Sequence, residues 1–226
     1  VSNTFKRLLL KISGDVFAQT DLLNSVASQL IQLYKRQIQI VVVSGGGNII
    51  RGRDSRLIEP ANADRAGMLA TVINGIYLTD ILSRQAAVHH FAAFPVDNFV
   101  DVYSIEKARN SLNQQEILIL SGGTGNPFFS TDSTAALRAI ELKMDVILKG
   151  TRVAGVFSSD PEKNLNAKFY PKLTYQQVIQ QELRVMDLTA FTLCQQYQIP
   201  IIVFDITRPN AILNIVRGKK TGSLIC

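Results

Sequence analysis

Cysteine, histidine and charge are all scarce in this chain of 226 residues, which has two cysteines, two histidines and 19% charged residues. Cys194 and Cys226 fit no metal-ligand or Cys-x-x-Cys spacing. That excludes a disulfide framework and reads as buried or terminal thiols in a reducing compartment. A chain this long buries roughly three quarters of its unfolded surface and needs no such staples. His89 and His90 are adjacent in a strand-like run, and no Ser/His/Asp arrangement accompanies them. No metal-ligand set is recognisable. The low charge, beside 46% apolar residues, excludes disorder. Long apolar runs are missing too: residues 188–204 are interrupted by Gln195, Gln196, Gln198 and Pro200, which reads against a membrane span. The first residues run directly into a strand-like segment and do not read as a signal peptide, and Val at position 1 reads as a processed or trimmed start.

Basic residues are in modest excess, 24 Lys+Arg against 18 Asp+Glu, a net charge of +6. Such an excess reads either as ordinary solubility, the commoner case at this size, or as a sign of a polyanionic partner, nucleic acid or nucleotide. No nucleic-acid-binding module and no interleaving of basic and aromatic residues occurs, so the expectation is nucleotides and no nucleic acid.

Short aliphatic, β-branched runs alternate with segments of helical period. Strands are expected at 6–13, 38–43, 88–91, 116–121, 145–149 and 201–204. Helices are expected between the first two strands, over 63–84, from Ser104, over 131–142, from Thr174, over 187–197, and opening at Pro209. This alternation predicts an α/β protein, an open, mostly parallel sheet with helices on both faces, in one domain over 1–226. The most loop-like stretch is 158–171. In such folds ligands bind at the carboxyl ends of the strands.

Four strand ends carry suitable residues. The first reads Lys11-Ile12-Ser13-Gly14, with Lys11 and Ser13 on one face of the strand. Lysine there serves as a point charge on a phosphate, or else as a snorkelling edge residue. The second reads Ser44-Gly45-Gly46-Gly47-Asn48 with Arg51 close behind. Three glycines expose N–H groups that line an anion, yet neither a P-loop nor a dinucleotide fingerprint follows. The third, Gly122-Gly123-Thr124-Gly125-Asn126-Pro127-Phe128-Phe129-Ser130-Thr131-Asp132, suits a phosphate at a helix N-terminus, with flat aromatic surface for a base. Thr131 reads as the N-cap, and Asp132 as complementing the dipole, orienting a lysine or holding a metal. The fourth, from Lys149 through Thr151 and Phe157 to Asp160, could bracket a purine nucleotide.

Together these stretches resemble the amino acid kinase family, and within it the bacterial-type uridylate kinases. The resemblance runs nearly end to end. It rests on the Lys-x-Ser-Gly start, GGGN with Arg51, residues 63–71 (ADRAGMLAT), 124–132 (TGNPFFSTD), 155–161 (GVFSSDP), 183–187 (LRVMD) and 199–201 (IPI). It implies transfer of the ATP γ-phosphoryl group to UMP, with Mg²⁺ carried on the ATP. It assigns ATP to Lys11, Ile12, Ser13, Gly14, Gly47, Arg51, Thr151, Phe157 and Asp160. UMP falls to Gly46, Asp64, Thr124, Gly125, Asn126, Pro127, Phe128, Phe129, Ser130 and Thr131. The UMP side would occupy roughly residues 1–145 and the ATP side roughly 146–226. It further implies a cytoplasmic homohexamer in pyrimidine nucleotide synthesis with UTP as feedback inhibitor. Two positions depart from the family's pattern. Residues 15–21 are shorter than the glycine-rich segment associated with a GTP response, and Ala154 stands where Asp is common.

The acceptor phosphate monoester, with a second pKa of about 6, is mostly dianionic at neutral pH and needs no general base. What the reaction needs is charge neutralisation and alignment of two repelling anions. Lys11 is expected on the transferred phosphoryl, Arg51 nearby, and Asp132 orienting Lys11, with Lys149 a lesser member of the cluster. Two alternatives stand beside this reading: a kinase forming an acyl or carbamoyl phosphate, and a nucleotide-binding sensor without turnover.

Overall fold

A computed structural model describes residues 5–50, 58–183 and 185–226. Arg7–Ile12, four aliphatic residues and two cations, form the central strand β1. It pairs in parallel with β2 (Gln39–Ser44) on one side and with β6 (Val146–Thr151) on the other. The chain adds β3 (Val88–Ala92), β4 (Asp101–Val102) and β5 (Ile117–Ser121) beyond β2. Beyond β6 lie β10 (Ile201–Asp205), β11 (Ser223–Ile225) and β9 (Lys172–Leu173), giving the order β4-β3-β5-β2-β1-β6-β10-β11-β9. Among the described residues, β10–β11 is the one antiparallel pairing between strands of this sheet. A separate pair, β7 (Val156–Phe157) with β8 (Phe169–Tyr170), folds the expected loop 158–171 into a hairpin.

The near-continuous hydrophobicity of the central strands has a direct cause: both faces are buried. Leu8, Leu10, Ile12, Ile40 and Val42 face one cluster, built with α1 (Thr20–Tyr34), α2 (Pro60–Ser83) and α7 (Ala211–Val216). Leu9, Val41, Val43 and Ile147 face the other, against α3 (Ile105–Asn113), α4 (Thr131–Glu141), α5 (Tyr175–Gln180) and α6 (Leu188–Tyr197). Each such side chain contributes about 1.5–3 kcal/mol on burial. Ala135, Ala136 and Ala139 are fully buried on α4, and small side chains there let the helix sit close to β1 and β6.

Three expectations shift. The helix expected at Pro209 opens at Ala211, with Asn210 as a left-handed N-cap, because Pro209 and Asn210 lie in a turn closed by the Ala211 amide on the Arg208 carbonyl. The long helix starts at Pro60, where the missing N–H costs nothing. The cap of α4 is Ser130 rather than Thr131: its hydroxyl oxygen accepts from the amides of Asp132 and Ser133. Among the described residues α2 is long and apolar enough to cross a membrane by length and composition. It buries Ala70, Thr71, Asn74, Leu78 and Leu82 within the fold.

Candidate active site

The chain leaves β1 toward β2 on one side, whereas β6 and β10 extend the sheet on the other, so the strand order reverses at β1. Such a reversal opens a crevice beyond the carboxyl ends. Lys11 and Lys149 occupy it as direct register partners on β1 and β6. Register partners on neighbouring parallel strands project to the same side, here the side that carries α4 and α6. Both lysines are buried.

The anion that keeps them there comes from α4. Asp132 lies in the first turn of that helix, held by the Ser130 cap. Lys149 Nζ donates to Asp132 Oδ2 at 2.5 Å, and Lys11 Nζ approaches Oδ1 to 2.8 Å. The Lys11 contact is ionic but poorly directed, since Oδ1 is buried without a hydrogen-bond donor. Burial works against ionisation of Asp132, but the two ammonium charges outweigh it and hold the carboxyl below its ordinary range. Burial pushes the Lys149 ammonium pKa down, with Lys11 acting in the same direction and Asp132 opposing both. Lys11, Lys149 and Asp132 thus form a buried ionic cluster at the carboxyl ends of β1 and β6, with the Asp187 carboxylate also acting on Lys149.

On one side is a cavity of about 810 Å³. Of the residues expected at UMP, Gly46, Asp64, Asn126, Phe128, Phe129, Ser130 and Thr131 line it. Thr124, Gly125 and Pro127 belong to the same loop without lining it, and Thr124 Oγ1 braces the turn by accepting from the Asn126 amide. Gly47, expected at ATP, lines this cavity instead. Asp64 Oδ2 accepts from the Phe128 amide at 2.7 Å, so α2 grips the loop at a residue with φ of 69°. The rings of Phe128 and Phe129 stay exposed, free to cover a planar ligand.

The second cavity, about 580 Å³, is bounded by the β7–β8 hairpin and the end of β6. Thr151, Phe157 and Asp160, three of the residues that the sequence resemblance assigns to ATP, line it together. Lys11, Ile12, Ser13 and Gly14 line neither cavity. They close the end of β1, where a Cβ on Gly14 would lie 2.5 Å from Asn48 Oδ1 and 2.7 Å from the Gly47 amide nitrogen. Arg51 lies outside the described residues.

Sequence reasoning missed Asp187. Its carboxylate caps α6 through the Ala190 amide and accepts from the hydroxyls of Ser133, at 2.7 Å, and Ser130. It thereby ties α6 to the helix that carries Asp132. The motif at 183–187 contained it without indicating a role. Met68 and Gly67 also line the first cavity and lay within the motif at 63–71, whereas Thr189 carried no signal.

A positively charged, acid-anchored lysine pair at a strand-order reversal, flanked by two cavities, is the layout of an α/β phosphoryl-transfer protein. Comparison with known proteins narrows the class. Residues 6–205 match the model of the amino acid kinase family. This chain belongs to that family. It is 41% identical to the uridylate kinase of Buchnera aphidicola subsp. Baizongia pistaciae, over 98% of this chain and 96% of the relative. It is 42% identical to that of Escherichia coli strain K12 over the same shares. Its fold superimposes on the crystal structure of UMP kinase from Bacillus anthracis with a TM-score of 0.94, at 34% identity, covering 98% of this chain and 96% of that one. For the structure of UMP kinase from Ureaplasma parvum the TM-score is 0.91, at 35% identity, covering 97% and 98%.

Proposed function

We infer that this chain transfers the γ-phosphoryl group of ATP to UMP, giving UDP and ADP. The observation that carries the reading is the Lys11–Asp132–Lys149 cluster at the head of the sheet, in a chain more than 40% identical to uridylate kinases along nearly its whole length. UMP occupies the larger cavity, with Asp64, the 124–131 loop and Gly46 around it, and ATP occupies the cavity lined by Thr151, Phe157 and Asp160. This divides the single domain into a UMP side and an ATP side at about residue 145.

Lys11 meets the transferred phosphoryl group, and Lys149 adds a second charge from the adjoining strand. Asp132 keeps both ammonium groups in place. The sequence resemblance assigns Arg51 to add positive charge in the same transfer. The transition state spreads charge over the equatorial oxygens of the phosphoryl group, so fixed cations lower its energy. The dianionic UMP phosphate attacks without a base.

Among the described residues no three His, Cys, Asp or Glu side chains form a metal cage, and both carboxylate oxygens of Asp132 face lysines. In this reading Mg²⁺ is carried on the ATP phosphates, since this ion binds substrate phosphates and retains water. Bound with the nucleotide, it would supply charge neutralisation to the phosphate groups, beside the charge of Lys11 and Lys149.

The enzyme acts in the cytoplasm in pyrimidine nucleotide synthesis, with UTP as feedback inhibitor, as a homohexamer. Free thiols at Cys194 and Cys226 agree with a reducing compartment. Leu69, Ile73, Ile76 and Tyr77, an exposed apolar stripe on α2, support self-association.

The test is ADP release from ATP with UMP, CMP, uridine, carbamate or N-acetylglutamate as acceptor, with and without GTP. UDP formation with UMP alone is expected. Turnover only with carbamate or N-acetylglutamate assigns an acyl-phosphate-forming kinase. Tight ATP or UTP binding with no ADP release assigns a sensor.

A further inference from the structure

Helix α2 buries two polar side chains, Thr71 and Asn74, which are 3% and 1% exposed. An amide in such a place costs stability unless each of its polar atoms is paired. Asn74 is fully paired, and every bond goes to one loop. Its Nδ2 donates to the Gly45 carbonyl and to Asn48 Oδ1, both at 2.8 Å, and its Oδ1 accepts from Asn48 Nδ2 at 3.1 Å. The Gly45 carbonyl can only accept, so the Asn74 nitrogen must face it. That orientation in turn dictates which way the Asn48 amide lies.

The loop so held has no slack on either side. A Cβ on Gly46 would lie 2.7 Å from the Gly67 carbonyl oxygen and 2.8 Å from Ala70 Cβ on α2. On the other side, Asn48 Oδ1 and the amides of Gly47 and Asn48 press against Gly14 at the end of β1, two residues past Ile12. One turn earlier on α2, Thr71 Oγ1 accepts from the Gly122 amide at 2.8 Å and donates to the Met68 carbonyl. One helix face therefore sets the backbone of two glycine loops, at β2 and at β5.

We propose that Asn74 is a positioning residue for phosphoryl transfer: with Asn48 it fixes the backbone of residues 45–48 between the end of β1 and the UMP cavity. The proposal rests on the reading of the chain as a UMP kinase. Asn74 touches no reacting atom. It acts through the placement of Gly46 and Gly47, which line that cavity. Misplacement of about 1 Å at a reacting centre costs on the order of a hundredfold in rate.

The experiment measures kcat and KM for ATP and UMP, together with thermal unfolding, in wild type, Asn74→Ala, Asn74→Asp, Asn48→Ala and the Asn48→Ala/Asn74→Ala double variant. Asn74→Ala is expected to lower kcat by about 10- to 100-fold, beyond any change in KM. The double variant is expected to lose no more than the worse single one, because both changes break the same pair. In Asn74→Asp the ionised carboxylate faces the Gly45 carbonyl, whereas the protonated one can donate to it. Its kcat relative to wild type is therefore expected to rise as the pH is lowered. A kcat for folded Asn74→Ala within about twofold of wild type, whatever its melting temperature, overturns the proposal. If Asn74→Ala fails to fold, Asn48→Ala decides in the same way, since its side chain is only half-buried. A wild type that releases no ADP from ATP and UMP overturns the functional reading and this proposal with it. A wild type that turns over beside equally active variants overturns the proposal alone.

Discussion

Lys11 and Lys149 stand side by side in parallel register, 138 residues apart in sequence, and converge on one carboxylate. Two like charges at such a distance repel, so the pair depends on Asp132. The cluster is buried and attached to two neighbouring strands at the centre of the sheet. Fixed charge that needs no rearrangement during the reaction is the most effective kind.

Removing either cation is expected to act on turnover. Lys11→Ala is expected to lower kcat by roughly a hundredfold or more. Lys149→Met keeps most of the stem and should lose a comparable factor if the two lysines share the work. Steady-state ADP release measures both. Near-normal turnover in Lys11→Ala would remove it from the transferred phosphoryl group.

His90 makes stability depend on pH. Burial, with a lesser contribution from His89, lowers its pKa to about 4. At neutral pH it is uncharged both folded and unfolded. Below pH 6.5 the unfolded chain takes up a proton that the folded chain refuses, so stability falls between pH 6.5 and about 4. The loss reaches about 3 kcal/mol at the lower end. Urea midpoints at several pH values, for wild type against His90→Gln, isolate this contribution. Parallel curves would show that His90 takes no part.

Asp132 acts in a lower window. Its folded pKa lies below the ordinary value of 3.8, so its ionised form contributes stability above that value, lost as the pH falls through the folded pKa. Asp132→Asn leaves two buried ammonium groups without their anion, and breaking a buried pair costs about 3–5 kcal/mol. Chemical denaturation at pH 7 is expected to show this loss alongside loss of turnover. Asp132→Asn with Lys149→Met is expected to recover part of the stability and none of the activity.

Gly75 packs under the His90 ring. A Cβ there would lie 2.4 Å from Nε2 and 2.5 Å from Cε1. The ring has little freedom to retreat, since Nε2 is 2.8 Å from Ser121 Oγ. Gly75→Ala is expected to cost about 1–3 kcal/mol by overpacking. His90→Ala in the same chain opens space for the new methyl group, and thermal melts of the two singles and the double should reveal the coupling as a cost smaller than the sum.

Ser133 and Asp187 bind α4 to α6. Asp187→Ala removes the acceptor of two hydroxyls and of the Ala190 amide. Expected costs are about 1 kcal/mol for the lost cap and about 1–3 kcal/mol for the unpaired hydroxyl groups. Urea denaturation reads the sum. If α4 no longer presents Asp132 correctly, kcat falls as well.

Much of the fold was legible in order along the chain. The strands β1, β2, β5, β6 and β10 were readable because burial on both faces leaves them uniformly aliphatic. Local reading failed where a nearby competitor decided the outcome. Ser130 outcompeted Thr131 as the cap, because a capping oxygen must precede the first helical residue. Pro209 looked like a helix start, but it sits in the turn from Arg208 to Ala211, where Asn210 is left-handed. Asp187 was visible only as part of a motif, because its partners are 54 and 57 residues away.

The amino-acid sequence by itself determined the alternating fold, the glycine-rich strand ends and the presence of Lys11 and Asp132 at two of them. These follow from periodicity, from residue size and from the charge a phosphate requires, all local properties. Tertiary structure alone decided that Lys149 is an equal partner of Lys11, that Asp187 joins two helices, and that Asn74 holds the first glycine loop. Each depends on strand register or helix docking between distant segments, and the energy of a buried ion pair or amide exists only once those segments have excluded water together.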